Sequence, residues 1–323
     1  MWGKHFADKM AIRRVSQHSQ CSACVKHKML LKHLAGNKRA HAEQMKEYTS
    51  HLSRQYRDRV VYWQSRSESR LGLLPDGGGV LTLVVDSMDK SKYRYPRSAI
   101  CSSKEFSNMV RPVLDMTAVI AHGHATHLFC SEGFIKKDSS WTVELLAHAI
   151  HKVAEGGRDL RGTTLVIQSD NCCRENKNNT VLRWLGGLVA TNRFVCGVAR
   201  FLQSGHSHED IDQYFSSLTT EIERHRELHV PKCFQRMLKT FMAENPGLRS
   251  NEKDSYVHKV DQVRDWPLAH SSACLLRASY YLLLLGCCGS DRRMVQDTPL
   301  FTEIWLRTRN EDAPQPLTSG RPT

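Results

Sequence analysis

The chain has 323 residues, 40% hydrophobic and 24% charged, with eleven cysteines, a formal net charge of +13 and a pI near 9.3. That length and apolar content allow one large or two smaller cored domains, and the scattered cysteines exclude a disulfide-built scaffold. The excess of positive charge favours a polyanionic partner, nucleic acid before a membrane surface. The opening segment MWGKHFADKMAIRR is charged and lacks an apolar core, so no secretory signal is read. The longest apolar run, Ala278 to Cys288, is too short to span a bilayer. The expectation is a soluble, intracellular chain with reduced thiols and no membrane partner.

Cys21 and Cys24 form a CSAC knuckle with His27 and His33 close behind. Thiolate pairs at this spacing chelate zinc, and a structural site needs four ligands. The candidate Zn²⁺ ligands are Cys21, Cys24 and His27, with His18 or His33 as alternatives; a pair of free thiols at a helix start is the plain reading. From Asn37 to about Arg70 the pattern predicts one long helix, with Met45, Tyr48, Leu52, Tyr56 and Trp63 on its apolar face. Arg54, Arg57, Arg59, Arg66 and Arg70 crowd its second half. They read either as a solvated face or as a helix that tracks a phosphate backbone. The turn-rich LLPDGGG, Leu73 to Gly79, closes this module.

Beyond it, Val80–Val85 is an apolar strand that ends in Asp86. The basic loop Ser87–Ser98 follows, placing Lys90, Lys92, Arg94 and Arg97 where phosphates could be met. Met116–Ala121 and Thr126–Cys130 read as two strands joined by His122-Gly123-His124-Ala125, and the histidines there read as turn and edge residues rather than ligands. Asp138-Ser139-Ser140 opens a helix with Val143, Leu146, Ile150 and Val153 as its stripe, stopped by Gly156-Gly157. A fourth strand, centred on Leu165–Ile167, ends in Gln168, Ser169 and Asp170. A helix from about Glu175 to Thr191 follows, and Gly186 and Gly187 within it suggest close approach to a sheet. Phe194–Leu202 is a fifth strand. Ser207 and Asp210 suggest a capping box for a helix carrying Ile211, Phe215, Leu218 and Ile222. With Asp210 occupied as a cap, Asp212 is the better candidate for a third acid and Glu209 a weaker one.

A carboxylate at the end of a buried strand sits on a rigid element, at the edge where open α/β sheets bind ligands. The order strand, strand, strand, helix, strand, helix, strand, helix, with acids after strands one and four and on the last helix, resembles the ribonuclease H-like fold of DDE transposases and integrases. More closely, CSACVKHK, DSMDKSKYRYPR, KDSSWTVELLAHAI, QSDNCCRENKNN and GHSHEDIDQYF resemble transposon-derived proteins that carry a CxxCxxHK knuckle before such a catalytic domain. The resemblance spans about Cys21 to Trp266. It implies an α/β fold with a five-stranded mixed sheet flanked by helices, behind a mainly helical N-terminal module.

It further implies that strands one and four are parallel neighbours, and that Asp86, Asp170 and Asp212 meet at their carboxyl edge. There they would hold two Mg²⁺ or Mn²⁺ ions for DNA strand cleavage and transfer. Lys90, Lys92, Arg97 and His206 are the expected phosphate contacts. Glu175 and Asn176 read as a further acid and a contact, or equally as a helix-terminal acid and cap. The expected organisation is a basic helical module over 1–74, the catalytic domain over 75–229, a helical extension over 230–309 and a disordered tail over 310–323. The partner is DNA, with a nuclear location if that holds, and self-association is a further expectation. The rival readings are a non-catalytic nucleic-acid-binding scaffold and a zinc-knuckle oligomerisation module.

Overall fold

The computed structural model describes residues 21–72, 78–90, 93, 96, 98, 105, 114–155, 159–201, 210–225, 227–244, 252 and 254–266, and the backbone of 281–283 and 303–307. It divides into two compact units, Met1–Gln55 with Gln203–Ser207, and Tyr56–Leu202 with His208–Thr323. In the first unit, α1 (Ser22–His33) begins directly after Cys21. Asn37 then caps the next helix, its Oδ1 accepting from the backbone N–H of Ala40 at 3.2 Å.

That helix, α2 (Lys38–Leu71), is the long one the sequence predicts, but its faces are reversed. Met45, Leu52, Tyr56 and Trp63 are exposed. The covered seam is Gln44, Tyr48, His51, Gln55, Asp58, Tyr62, Ser65 and Ser69, spaced four and three as in a heptad. Polar bonds explain the inversion, because His51 meets Cys24, Tyr62 meets His122 and Ser69 donates to the carbonyl of His122. Hydrophobic periodicity cannot report a seam held by such bonds. The second half of α2, from Tyr56 on, belongs to the sheet unit.

The second unit is a mixed α/β structure. Its strands are β1 (Gly79–Ser87), β2 (Leu114–Ala121), β3 (Ala125–Glu132), β4 (Thr163–Ser169), β5 (Cys196–Phe201), β6 (Asp254–Lys259), β7 (Tyr281–Leu283) and β8 (Glu303–Arg307). They form one sheet in the order β6-β3-β2-β1-β4-β5-β8-β7. The expected five strands are therefore corrected to eight among the described residues. The six from β6 to β5 are extended by β8 and β7. The additional three come from the part expected to be a helical extension, where polar or Leu-rich composition hides a period of two. β6 also covers β3 in parallel, so His127 lies inside the sheet rather than on its edge.

β1, β2 and β3 form an antiparallel meander, while β1 pairs β4 and β4 pairs β5 in parallel. Successive side chains alternate between faces. Leu81, Leu83 and Val85 of β1 join Leu165 and Ile167 of β4 under α3 (Ser139–Glu155) and α4 (Asn179–Ala190). Val84 joins Met116, Ala118 and Ile120 on the opposite face, under α5 (Asp210–Arg224) and α6 (Pro231–Glu244). The predicted stripes of α3 and α5 are in these two cores. Gly186 is buried in α4, and a Cβ at Gly197 of β5 would stand 2.8 Å from the Leu185 side chain of that helix.

Candidate active site and thiol–histidine cluster

β1 and β4 run side by side, and their last registered pair is Val85 with Ser169. Asp86 is the next residue of β1, and Asp170 is the first residue past β4. Asp86 also registers with Ala118, which belongs to the α5 face. Alternation along β1 therefore puts Asp86 on that face, while Asp170 stands just past the end of β4, beside it at the same edge of the sheet. α5 packs there against β1 and β2, with Ile211 in the same core as Val84. Asp212 follows one residue later. The Asp86 carboxyl is pushed up to about 7, by burial first and then by the charges of Asp170 and Asp212, against a backbone N–H from Ser87 and the charge of Lys137. Asp170 and Asp212 thus both lie close enough to Asp86 for their charges to act on it.

Asp170 is held by its own turn. Its Oδ1 accepts from the backbone N–H of Cys172 at 3.2 Å and from the side-chain amide of Asn176. Asn176 is buried and accepts in turn from the Thr142 hydroxyl of α3 at 3.1 Å. Asn176 is therefore neither a helix cap nor an open contact. The cap of α4 is Asn178, whose Oδ1 accepts from Thr180 and Val181, so this helix starts four residues later than the expected Glu175. Glu175 is partly buried, and burial raises its carboxyl, with Asp170 adding and Lys137 opposing.

The expected phosphate contacts fare differently. Lys90 is paired with buried Asp115 at 2.8 Å, and Lys137 joins the same carboxylate at 3.1 Å. Lys92, Arg94, Arg97, His206, Ser207 and Glu209 lie outside the described residues. Arg66 and Arg70, read as members of a basic face, are in ion pairs with Asp210 at 2.8 and 3.7 Å. Asp210 is thus structurally engaged as expected, but by guanidinium groups of α2.

The first unit holds a second cluster. Cys21 Sγ and Cys24 Sγ stand 3.6 and 3.2 Å from His51 Nε2, and all three residues are buried. Their ligand atoms lie within 4.8 Å of one another, the only such group of three among the described residues. The three can hold a metal ion such as zinc. The third member is not His27, whose Nδ1 bonds the Gln44 amide at 2.7 Å and whose ring stacks on Tyr48. His51 lies 27 residues past Cys24, and no spacing pattern announces it. Burial raises the Cys24 thiol, Cys21 adds to that, and the Tyr48 hydroxyl pulls it down. Burial lowers His51, favouring the neutral imidazole that ligates metals.

Comparison with protein families gives one match. The model described as "Domain of unknown function (DUF7869)" matches residues 104–277. The chain belongs to the DUF7869 family. No curated protein and no solved structure matches it. The DUF7869 segment contains Asp170, Asp212, His122 and Glu252, while Asp86 and α2 precede it. No described helix of this DUF7869 protein is long and apolar enough to cross a membrane.

Proposed function

We propose that the β1/β4 edge is the active site of a metal-dependent polynucleotidyl transferase of the DDE transposase and integrase kind, acting on DNA in a ribonuclease H-like domain. The observation that carries this reading is the parallel register of β1 on β4, in which Asp86 and Asp170 each follow the paired Val85 and Ser169 by one residue, at the carboxyl edge of neighbouring strands. The net charge of +13 supports a polyanionic substrate.

The donor set fits the ions. Asp86, Asp170 and Asp212 offer only oxygen, which hard divalent cations prefer. They are not drawn within 4.8 Å of one another, and ligands shared between two ions occupy a wider cluster than those of one. Bound Mg²⁺ or Mn²⁺ would supply activation of a water or 3′-hydroxyl and stabilisation of the leaving oxygen. Asn176 and the Cys172 N–H fix the orientation of Asp170, while Lys137 offsets part of the negative charge. Purified protein with Mn²⁺ should nick labelled DNA, and Asp170→Asn should reduce nicking to background. Salt-sensitive DNA binding without cleavage would instead favour the non-catalytic scaffold.

A second, compatible reading concerns the first unit, in which Cys21, Cys24 and His51 take a structural Zn²⁺. Their convergence within 4.8 Å supports it. Bound zinc should be lost in His51→Gln and retained in His27→Gln. The opposite pattern would restore the local knuckle.

A further inference from the structure

The second half of α2 is tied into the sheet unit by a connected polar network. The Arg66 Nη1 donates to both oxygens of Asp210, at 2.8 and 2.9 Å. The Tyr62 hydroxyl lies 3.3 Å from Asp210 Oδ2 and 2.9 Å from His122 Nε2. His122 Nδ1 meets Glu252 Oε1 at 2.9 Å, and Arg70 reaches Glu252 at 3.4 Å and Asp210 at 3.7 Å. Two guanidinium groups thus face two carboxylates, with Tyr62 and His122 linking them. His122, Tyr62 and Glu252 are buried, so each member depends on the others for its partner.

The same helix segment also touches the strand of Asp86. Thr82 of β1 donates its hydroxyl to the Ser65 carbonyl at 2.9 Å, and its N–H to Ser69 Oγ at 3.0 Å. Ser69 in turn donates to the His122 carbonyl at 2.7 Å. The β2–β3 turn fits against it only because residue 123 is glycine. Its φ is +78°, and a Cβ there would stand 2.6 Å from the Ser69 carbonyl oxygen. α2 therefore sets β1, the β2–β3 turn and the start of α5 against one another.

Asp210 is the first residue of α5, and Asp212 lies two residues on in the same turn. At about 100° per residue, the two side chains leave the helix in roughly opposite directions. Asp210 points to α2, so Asp212 leaves on the side away from it, and its charge is felt at Asp86. A rigid first turn transmits the position of one to the other. We propose that Arg66, acting through Asp210, is a positioning residue for Asp212. On this view the arginines of late α2 build the carboxylate site rather than contact nucleic acid. The proposal rests on the polynucleotidyl-transferase reading above.

The test is a Mn²⁺ titration read by electron paramagnetic resonance, alongside nicking rates, on the full chain. Arg66→Met and Asp210→Asn should weaken Mn²⁺ binding by about 10- to 100-fold, the usual range when a group orienting a metal ligand is removed. Excess Mn²⁺ should then restore part of the nicking rate. Arg66→Lys should rescue part of the affinity, because one nitrogen, Nη1, makes both contacts with Asp210 and an ammonium can supply the same charge and donors. Combined with Asp212→Asn, Arg66→Met should add little, since both act on one ligand. Unchanged Mn²⁺ affinity in Arg66→Met, or full additivity with Asp212→Asn, overturns the positioning role while leaving the active-site reading intact. Wild-type protein that binds no Mn²⁺, or binding unaffected by Asp170→Asn, overturns both. Should Arg66→Met fail to fold, Tyr62→Phe decides. It removes one hydroxyl from the network and should weaken Mn²⁺ binding, and an unchanged affinity there counts against the proposal.

Discussion

The two clusters are built on opposite plans. Cys21, Cys24 and His51 are soft or borderline donors drawn together within 4.8 Å, buried, and carried by two helices. Asp86, Asp170 and Asp212 are hard donors spread over two strand ends and a helix, partly exposed and further apart. A compact thiol–imidazole set suits one structural ion held in place by folding. A wider carboxylate set at a sheet edge suits exchangeable ions that meet a substrate. The contrast teaches that the second site needs external scaffolding. Asn176 supports Asp170, and Arg66 with Tyr62 supports the α5 turn, whereas the first cluster is held by its own members and Tyr48.

The largest expected effect breaks the first site. Structural zinc contributes on the order of 10 kcal/mol or more of folding free energy in small modules. Strong chelation should therefore remove helical circular dichroism belonging to α1 and early α2. The sheet unit's tryptophan fluorescence, from Trp141 and Trp184 in its core, should persist. Loss of both signals together would mean that the two units do not respond separately.

Next comes a test that sharpens the cost of the second site. The Asp86 carboxyl is raised from 3.8 to about 7, so its favourable contribution is complete below pH 4 and is lost as pH rises through 7. In buffer without divalent ions, Asp86→Asn should leave stability near wild type at pH 4. Above pH 7 it should exceed wild type by on the order of 4 kcal/mol, while nicking assayed separately with Mn²⁺ is lost. Urea midpoints measured across that range check it. An Asn variant less stable at pH 8 would mean that the carboxylate is not penalised by its surroundings.

A third effect separates either site from the sheet itself. His127 and His258 lie 3.0 Å apart, and burial lowers them to about 3 and about 4. Neighbouring His258 adds to the shift of His127, and His148 to that of His258. Depressed folded values give stability that is present above pH 6.5 and lost as pH falls toward 4. Each imidazole contributes about 1.4 kcal/mol per pH unit in that window. His258→Phe should flatten the acid limb of the stability curve.

The smallest effect is at the cap of α4. Asn178→Ala should cost about 1 kcal/mol and lower the melting temperature by a few degrees, without changing Mn²⁺ affinity, because Asn176 rather than the cap holds Asp170. A large change in affinity would make the whole 170–178 turn part of the site.

Much of the sheet unit was legible because its core obeys local periodicity. Val80–Val85 and Leu165–Ile167 are apolar runs that cannot face water. The stripes of α3 and α5 each have one face to bury. The aspartate ending each of two such strands follows from the same pattern. β6 was not legible, since its burial alternates weakly and its polar residues are those of a loop. The apolar stripe of α2 misled because Met45, Leu52, Tyr56 and Trp63 obey helical spacing yet face outward.

The sequence by itself determined five of the strands, the helices between them and which residue types stand at their ends, including the CxxC pair, Asp86 and Asp170. Tertiary structure alone decided the partners. His51 rather than His27 joins the thiols, Asn176 grips Asp170, and Arg66 and Arg70 turn inward to Asp210 and Glu252. The physical reason is range. Apolar burial imprints a short period on neighbouring positions, whereas a polar bond needs only two groups to meet. Tyr62 and His122 meet from 60 residues apart, and Arg70 and Glu252 from 182, with nothing in the intervening chain to record it.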